Sequence, residues 1–196
     1  MARRERIDLR AFQQELSERL KHKTAAQVDN LRLALECADR HWLVRLGDTG
    51  EVLPLPEIVP VPLTRPWFLG ISNVRGALYG VVDFGAFLTG SPTARSASGG
   101  NAGGPVAAGS RLVLLGTRFT DVRAGLFVNK VLGLRNLADF AAAPEVDSAA
   151  DPAAEIAAVD ARRWSARAWR DGNGTPWREL DLAALAADPR FLQIGA

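Results

Sequence analysis

The sequence predicts a mainly β protein of two small barrels, with an N-terminal amphipathic helix and a short C-terminal helix. Three observations support this fold class. Short apolar or alternating runs recur at near-regular spacing between turn residues. Hydrophobic residues make up 47% of the 196 residues, which is enough for a buried core. A stretch at about 91–110 offers almost nothing to bury and reads as a flexible linker, so two similar barrels on either side are favoured over one.

The first predicted element is an amphipathic helix within a helical extension, residues 1–29. Leu9, Phe12, Leu16 and Leu20 fall at spacings of three and four residues, which places them on one helix face. Two interpretations remain open for this face: it packs on its own domain, or it binds a partner.

Strands are predicted from residue 31 onwards. The apolar and alternating runs that indicate them are 31–35, 41–46, 67–72, 77–84, 111–116, 124–134, 164–170 and 177–181. The proline-rich stretch 51–62 excludes regular helix and discourages central pairing, because proline has no amide donor. We therefore expect it to be extended or an edge strand.

Turns and caps separate the runs. Residues 47–50 predict a turn, and Asp83 is expected to cap a helical turn at 84–88. The sequence 171–175 predicts a hairpin rather than a calcium loop, because it lacks the spaced acidic ligands and the closing Glu. An Ala-rich acidic stretch at 141–158 is interpreted as a surface excursion or a weak helix.

The C-terminal helix is predicted at 182–187. Asp181 is expected to cap it, and Pro189 is expected to end it.

The most informative segment is the turn between the predicted strands 67–72 and 77–84. Two apolar runs flank the polar tetrapeptide Asn73–Gly76. Asn73 suits a turn because its side chain can bond its own backbone, and Gly76 permits a positive φ. Arg75 has two interpretations that can hold together: it presents its guanidinium to a partner, or it bonds nearby carbonyls of its own fold.

No residue pattern predicts catalysis, a metal or a cofactor. His22 and His41 have no partner at His-x-x-x-His or Cys-x-x-Cys spacing, and no Gly-x-Ser-x-Gly or Walker sequence occurs. We therefore predict that the protein is not an enzyme. One enzyme alternative remains: acidic and basic residues from distant segments could meet in the fold to form a catalytic pair, which sequence spacing does not show.

The sequence also bears on the cellular compartment. The single cysteine, Cys37, excludes an intramolecular disulfide framework, and a buried strand thiol is favoured over a nucleophile. The charged start leads into no apolar signal region, and no 18-residue apolar run occurs. We expect a soluble, cytoplasmic protein.

A nucleic-acid-binding β-barrel is the alternative function. A pI of about 9.1 and five tryptophans favour it. Two observations oppose it: the basic residues are spread among acidic ones, and the tryptophans sit within apolar runs typical of a core.

The turn segment resembles the CheW-like family, the adaptor proteins of bacterial chemosensory arrays. The residues that carry the resemblance are Leu69-Gly70-Ile71-Ser72-Asn73-Val74-Arg75-Gly76, Val81-Val82-Asp83-Phe84 and the downstream run 124–133. Asn129 stands where the family usually has Asp, and Gly80 where Pro is frequent. The N-terminal helix, the linker and the chain end resemble the PilI branch, which is associated with type IV pili and twitching motility.

This resemblance implies a fold and a function. The fold would be two five-stranded SH3-like β-barrels around a shared core, forming a CheW-like domain over residues 30–190. The function would be non-catalytic scaffolding between the cytoplasmic tip of a chemoreceptor and the regulatory domain of a CheA-type histidine kinase, next to membrane receptor arrays, without nucleic acid or membrane insertion. The implied partner-binding residues are Val52, Gly70, Asn73, Val74, Arg75 and Gly76.

Overall fold

The computed structural model describes residues 29–91, 108–143 and 164–196. The predicted N-terminal helix lies outside these residues. So do most of the predicted linker and all but the first three residues of the Ala-rich stretch.

The described chain forms two β-sheets with short helices. The strands are β1 Leu31–Cys37, β2 Arg40–Arg45, β3 Thr49–Leu53, β4 Phe68–Val74, β5 Ala77–Asp83, β6 Arg111–Leu115, β7 Ala124–Val128, β8 Lys130–Asn136, β9 Ala141–Ala143, β10 Ser165–Arg170 and β11 Pro176–Leu180. The helices are α1 Phe84–Thr89, α2 Leu182–Ala186 and α3 Pro189–Leu192. One sheet has six strands in the order β8-β1-β2-β11-β10-β9, and the other has five in the order β3-β6-β7-β5-β4. The mainly β, two-unit prediction is confirmed, with six strands rather than five in one sheet.

The two sheets do not follow the division of the chain at the predicted linker. Strands β1 and β2 join β8 to β11 in the six-stranded sheet, whereas β6 and β7 join β3 to β5 in the five-stranded sheet. Each sheet therefore takes strands from both sides of residues 91–110. Hydrophobic alternation predicts which residues face inward, but it does not specify which strands become neighbours.

The run 124–134, predicted as one strand, divides at Asn129 between the two sheets. Strand β7 pairs with β5 and β6, while β8 pairs with β1. The Asn129 side-chain oxygen accepts a hydrogen bond from the Ala38 amide at 3.4 Å, in the turn between β1 and β2. This contact ties the crossover to the six-stranded sheet.

Three apolar clusters fill the molecule because side chains alternate across each strand. In β2, Trp42 and Val44 lie in the central cluster between the sheets, while Leu43 faces a second cluster on the outer side of its sheet. In β5, Val82 faces the central cluster and Val81 faces a third cluster on the outer side of the five-stranded sheet. Each sheet is thus covered on both faces, and the central cluster joins the two.

A buried ion pair lies on the outer face of the six-stranded sheet. Arg32 Nε donates to Glu179 Oε1 at 3.0 Å, and both side chains are almost wholly buried. Arg32 Nη1 donates to the backbone carbonyls of Asp29 and Leu31, and Nη2 lies 3.0 Å from Glu179 Oε1. Trp169 Nε1 donates to the second Glu179 oxygen at 3.3 Å, so both carboxylate oxygens are bonded.

The helix caps match the sequence prediction with one correction. Asp83 accepts from the Ala86 amide at the start of α1, and Asp181 accepts from two amides at the start of α2. Pro189 was expected to end the C-terminal helix, yet it opens α3 under an Asp188 cap. Proline is well tolerated at the first position of a helix, because the amide there has no partner within the helix. Residues 47–50, predicted as a turn, lie across a 3-10 helix at Leu46–Asp48 and the start of β3.

Candidate partner-binding site

The predicted turn is a two-residue hairpin loop between β4 and β5. Val74 pairs with Ala77, which leaves Arg75 and Gly76 as the loop residues. Their φ angles are 52° and 85°, and two consecutive positive φ values define a type I′ turn. The Asn73 side-chain oxygen accepts from the Gly76 amide at 2.8 Å. The turn roles predicted for Asn73 and Gly76 are therefore confirmed.

Arg75 occupies a backbone conformation that disfavours it. Glycine or asparagine is the usual residue at a left-handed position, and other L-residues lose on the order of 1–2 kcal/mol there. The Arg75 side chain is nevertheless 79% exposed, so burial does not compensate. A disfavoured residue at an exposed turn is the observation that makes Arg75 a candidate contact residue.

The partner of Arg75 is a carboxylate from a distant strand. Its NH2 nitrogen lies 2.6 Å from Oε1 of Glu51 in β3, and the Glu51 side chain is 39% exposed. The expected carbonyl partners are thus replaced by an ion pair. Strands β3 and β4 are the two edges of the five-stranded sheet, so the pair bridges these edges.

A second connection closes the same barrel. After β3 the chain runs beside the free edge of β4, where Val59 and Ile71 exchange two backbone hydrogen bonds of 2.8 Å. Gly70 lies within this contact at a φ of 133°, and a Cβ atom there would meet the Val59 oxygen at 2.2 Å. Gly70 is therefore required for the close approach of two backbones.

The six predicted site residues divide into two groups. Val52, Asn73, Arg75 and Gly76 are exposed, so a partner can reach them. Gly70 and Val74 are buried, and Val74 belongs to the apolar cluster inside the five-stranded barrel. The buried Gly70 and Val74 therefore position the exposed residues of the first group.

Leu78 is an exposed apolar residue at this site that sequence reasoning missed. It pairs with Asn73 across the hairpin, and it is 60% exposed. Directly opposite residues on one sheet face have Cβ atoms about 5 Å apart, so Leu78 adds apolar surface beside the polar turn. The sequence feature that could have indicated Leu78 is a large aliphatic residue two positions after the tight turn. Glu51 was also missed, because no local spacing links it to Arg75.

Three further observations concern the titratable and metal-ligating side chains of the described residues. Burial and the charge of Asp83 raise the pKa of the Cys37 thiol to about 12, so it stays protonated inside the central cluster, as predicted for a buried strand thiol. Desolvation raises the pKa of Asp48, although Arg118 and Arg45 oppose the shift. Across the three described ranges no three His, Cys, Asp or Glu residues gather in a way that could hold a metal ion.

The tryptophans bear on the nucleic-acid alternative. Trp42, Trp164 and Trp177 are buried within the clusters, and Trp67 packs against Phe87 and Phe191. Buried rings offer no platform on which bases can stack. Trp169, the fifth tryptophan, is half-buried and donates from its ring nitrogen to Glu179. No helix in the part of the chain that is described is long and apolar enough to cross a membrane.

Two strand-exchanged β units with an exposed two-residue turn define the chain as a small, mainly β protein. Comparison with known proteins then identifies the family. The CheW-like domain model matches residues 33–190, so the chain belongs to the CheW-like family. The family predicted from the turn motif is confirmed.

Individual relatives agree with this assignment. The chain is 30% identical over 97 residues to "Protein PilI" of Pseudomonas aeruginosa (strain PAO1), which covers 50% of this chain and 47% of that protein. The chain thus matches about half the length of this curated relative. The crystal structure of the scaffolding protein TtCheW from Thermoanaerobacter tengcongensis has a TM-score of 0.53 and 16% identity, and the match covers 78% of this chain and 88% of that one. At this identity the likeness concerns the fold.

Proposed function

We propose that this chain is a non-catalytic adaptor of chemosensory signalling. It couples the cytoplasmic tip of a chemoreceptor to the regulatory domain of a CheA-type histidine kinase, in the cytoplasm beside membrane receptor arrays. Membership of the CheW-like family supports this role, and the solved neighbour is titled a scaffolding protein. The similarity to PilI favours twitching motility by type IV pili as the output.

The observation that carries the proposal is the Arg75 turn. An exposed guanidinium sits on a strained hairpin loop, and its position is set by Glu51, by Asn73 and by the buried residues beneath. A group held in place before binding loses little conformational entropy when a partner arrives. We propose that Val52, Asn73, Arg75 and Gly76 contact the receptor tip, while Gly70 and Val74 support them.

We also propose a division of the chain that suits this role. Residues 1–29 form a helical extension, and residues 30–190 form the adaptor domain with a linker at about 91–110. Because each sheet draws strands from both sides of that linker, the two β units form one body. A receptor held on one unit then biases a kinase held on the other, provided that the contacts differ between two signalling states.

Co-sedimentation with a receptor signalling fragment and a CheA-type kinase tests the proposal. We expect a ternary complex for the wild-type chain. Arg75→Asp should lower receptor capture strongly, because it places a carboxylate beside Glu51 and removes the guanidinium, while the circular dichroism spectrum stays unchanged. Arg135→Asp is the matched control, since Arg135 is exposed on β8 in the other sheet.

A second pair of variants separates contact from turn support. Glu51→Gln and Arg75→Gln each break the same ion pair and leave the hairpin backbone intact. If Arg75 touches the receptor, Arg75→Gln weakens capture more than Glu51→Gln does. Equal losses in both variants, or unfolding of Arg75→Asp, would assign Arg75 to the barrel alone and remove it from the contact surface.

A further inference from the structure

We propose that a basic pocket at one end of the six-stranded sheet binds an acidic side chain of a partner protein. The pocket has a volume of about 230 Å³. The lining residues that define it are Arg40, Ala143, Ala168, Arg170, Pro176 and Arg178. It lies on the opposite sheet from the Arg75 turn, so the inference does not rest on the proposed function.

The strand register explains why a pocket forms here. Trp177 pairs with His41, and Pro176 pairs with Arg170 on the other side of β11. Pro176 therefore lies between Arg40 on β2 and Arg170 on β10. Neighbouring strands are about 4.8 Å apart, so the two long arginines flank one compact ring.

The depression continues across the sheet through small side chains. Ala168 of β10 pairs with Ala143 of β9, so neither position carries a long side chain. Two alanines and a proline thus lie in the middle of this face, and arginines lie around them. A pocket is the packing consequence of short side chains enclosed by long ones.

The charge in the pocket selects the ligand. The lining contains three arginines and one carboxylate, Asp39; Arg178 has a partner of its own, so Arg40 and Arg170 carry the basic character of the pocket. Arg40 makes no ion pair with any carboxylate of the described ranges, and Arg170 uses only one donor internally, a 2.9 Å bond to the Gly174 carbonyl. Guanidinium groups with free donors match the paired oxygens of a carboxylate.

The size of the pocket points to a protein side chain. Cavities that hold drug-sized ligands measure roughly 300–1,000 Å³, so this one admits a smaller group. His41 and Trp177 also line the pocket, and their rings pack against each other with centroids 4.7 Å apart. An Asp or Glu side chain on an acidic segment of a partner satisfies both the charge and the volume.

Fluorescence anisotropy with a fluorescein-labelled deca-glutamate peptide tests the inference at fixed ionic strength. We expect Arg40→Glu and Arg170→Glu each to weaken binding about fivefold, because exposed ion pairs contribute up to roughly 1 kcal/mol. Arg135→Glu has the same change in net charge, and we expect less than a twofold loss. A deca-glutamine peptide should not bind. Arg40→Gln and Arg170→Gln provide milder variants, and circular dichroism checks folding.

Four results would overturn the inference. The first is that the wild-type chain does not bind the acidic peptide. The second is that Arg135→Glu loses as much affinity as Arg40→Glu, which would indicate general attraction to a basic surface. The third is that millimolar inorganic phosphate displaces the peptide, which would indicate a site for small anions. The fourth is that neutralising the acidic residues of 145–160 strengthens peptide binding about tenfold, which would mean that acidic residues of this chain itself compete for the pocket.

Discussion

Each of the two sheets contains a short Arg–Glu pair, and the two pairs sit in opposite environments. Arg32 and Glu179 are buried on the outer face of the six-stranded sheet, at 3.0 Å. Arg75 and Glu51 are exposed at the edge of the five-stranded sheet, at 2.6 Å. The outer-side cluster of the five-stranded sheet consists of apolar residues, whereas the outer face of the six-stranded sheet also buries this ion pair. The same chemical pair is therefore desolvated in one sheet and hydrated in the other.

The physical difference lies in desolvation. A buried ion pair has given up its hydration, so removal of one partner leaves an uncompensated charge in a low-dielectric interior. When one partner of an exposed pair is removed, water solvates the other at little cost. The net contribution of such a pair to the free energy of unfolding is therefore about 0–1 kcal/mol. Shorter distance in the exposed pair does not make it the stronger contributor to stability.

The largest expected effect comes from breaking the buried pair. Glu179→Ala should lower the free energy of unfolding by about 3–5 kcal/mol, because Arg32 and Trp169 lose their acceptor inside the fold. Urea unfolding followed by tryptophan fluorescence measures this change. The double variant Arg32→Met with Glu179→Leu should recover most of the loss. A change below about 1 kcal/mol in the single variant would contradict the comparison.

The next effect probes the apolar face of the five-stranded sheet. Leu112 is fully buried in its cluster, so Leu112→Ala should lower the free energy of unfolding by about 3 kcal/mol through lost burial and a cavity. The same urea titration measures it. Leu78→Ala, at an exposed position of the same sheet, is the control and should change stability by less than about 0.5 kcal/mol. Equal effects would mean that the cluster is not the core of this barrel.

Breaking the exposed pair should change stability far less. Glu51→Gln keeps the size of the side chain, and we expect a decrease below about 1 kcal/mol in the free energy of unfolding. Thermal unfolding at low and at high salt checks this, since screening should remove most of the difference. A loss as large as that of Glu179→Ala would show that barrel closure depends on this pair.

The smallest effect concerns an exposed loop of the six-stranded sheet. Desolvation acts to raise the pKa of Asp171, but hydrogen bonds from the Thr175 amide, the Trp177 ring nitrogen and the Asn173 amide outweigh it and lower the pKa. A carboxyl pKa that is lower in the folded than in the unfolded state stabilises the fold at pH values above the unfolded-state pKa near 3.9. This stabilisation is lost as the pH falls through the folded-state pKa.

Comparison of the wild-type chain with Asp171→Asn checks this sign. The stability advantage of the wild-type chain, measured by urea titration, should be present at pH 6 and should shrink at pH values below about 4. An advantage that grows with acidity would contradict the role of the carboxylate.

Local features of the fold were predictable because their causes are local. The Asn73–Gly76 turn, the Asp83 and Asp181 caps and the buried Cys37 all follow from neighbouring residues. The break at Asn129 was not predictable, since the strand pattern continues across it and only the change of sheet interrupts it. The basic pocket also escaped prediction, because its arginines come from three strands.

The sequence by itself determined the class of fold, the family motif and the residues of the exposed turn, because periodicity, capping and turn chemistry act over a few residues. Tertiary structure alone decided which strands share a sheet, which charges are buried and which carboxylate holds Arg75. Those choices depend on contacts between residues far apart in the chain: Glu51 and Arg75 are 24 positions apart, and Arg32 and Glu179 are 147. No local pattern encodes such distances.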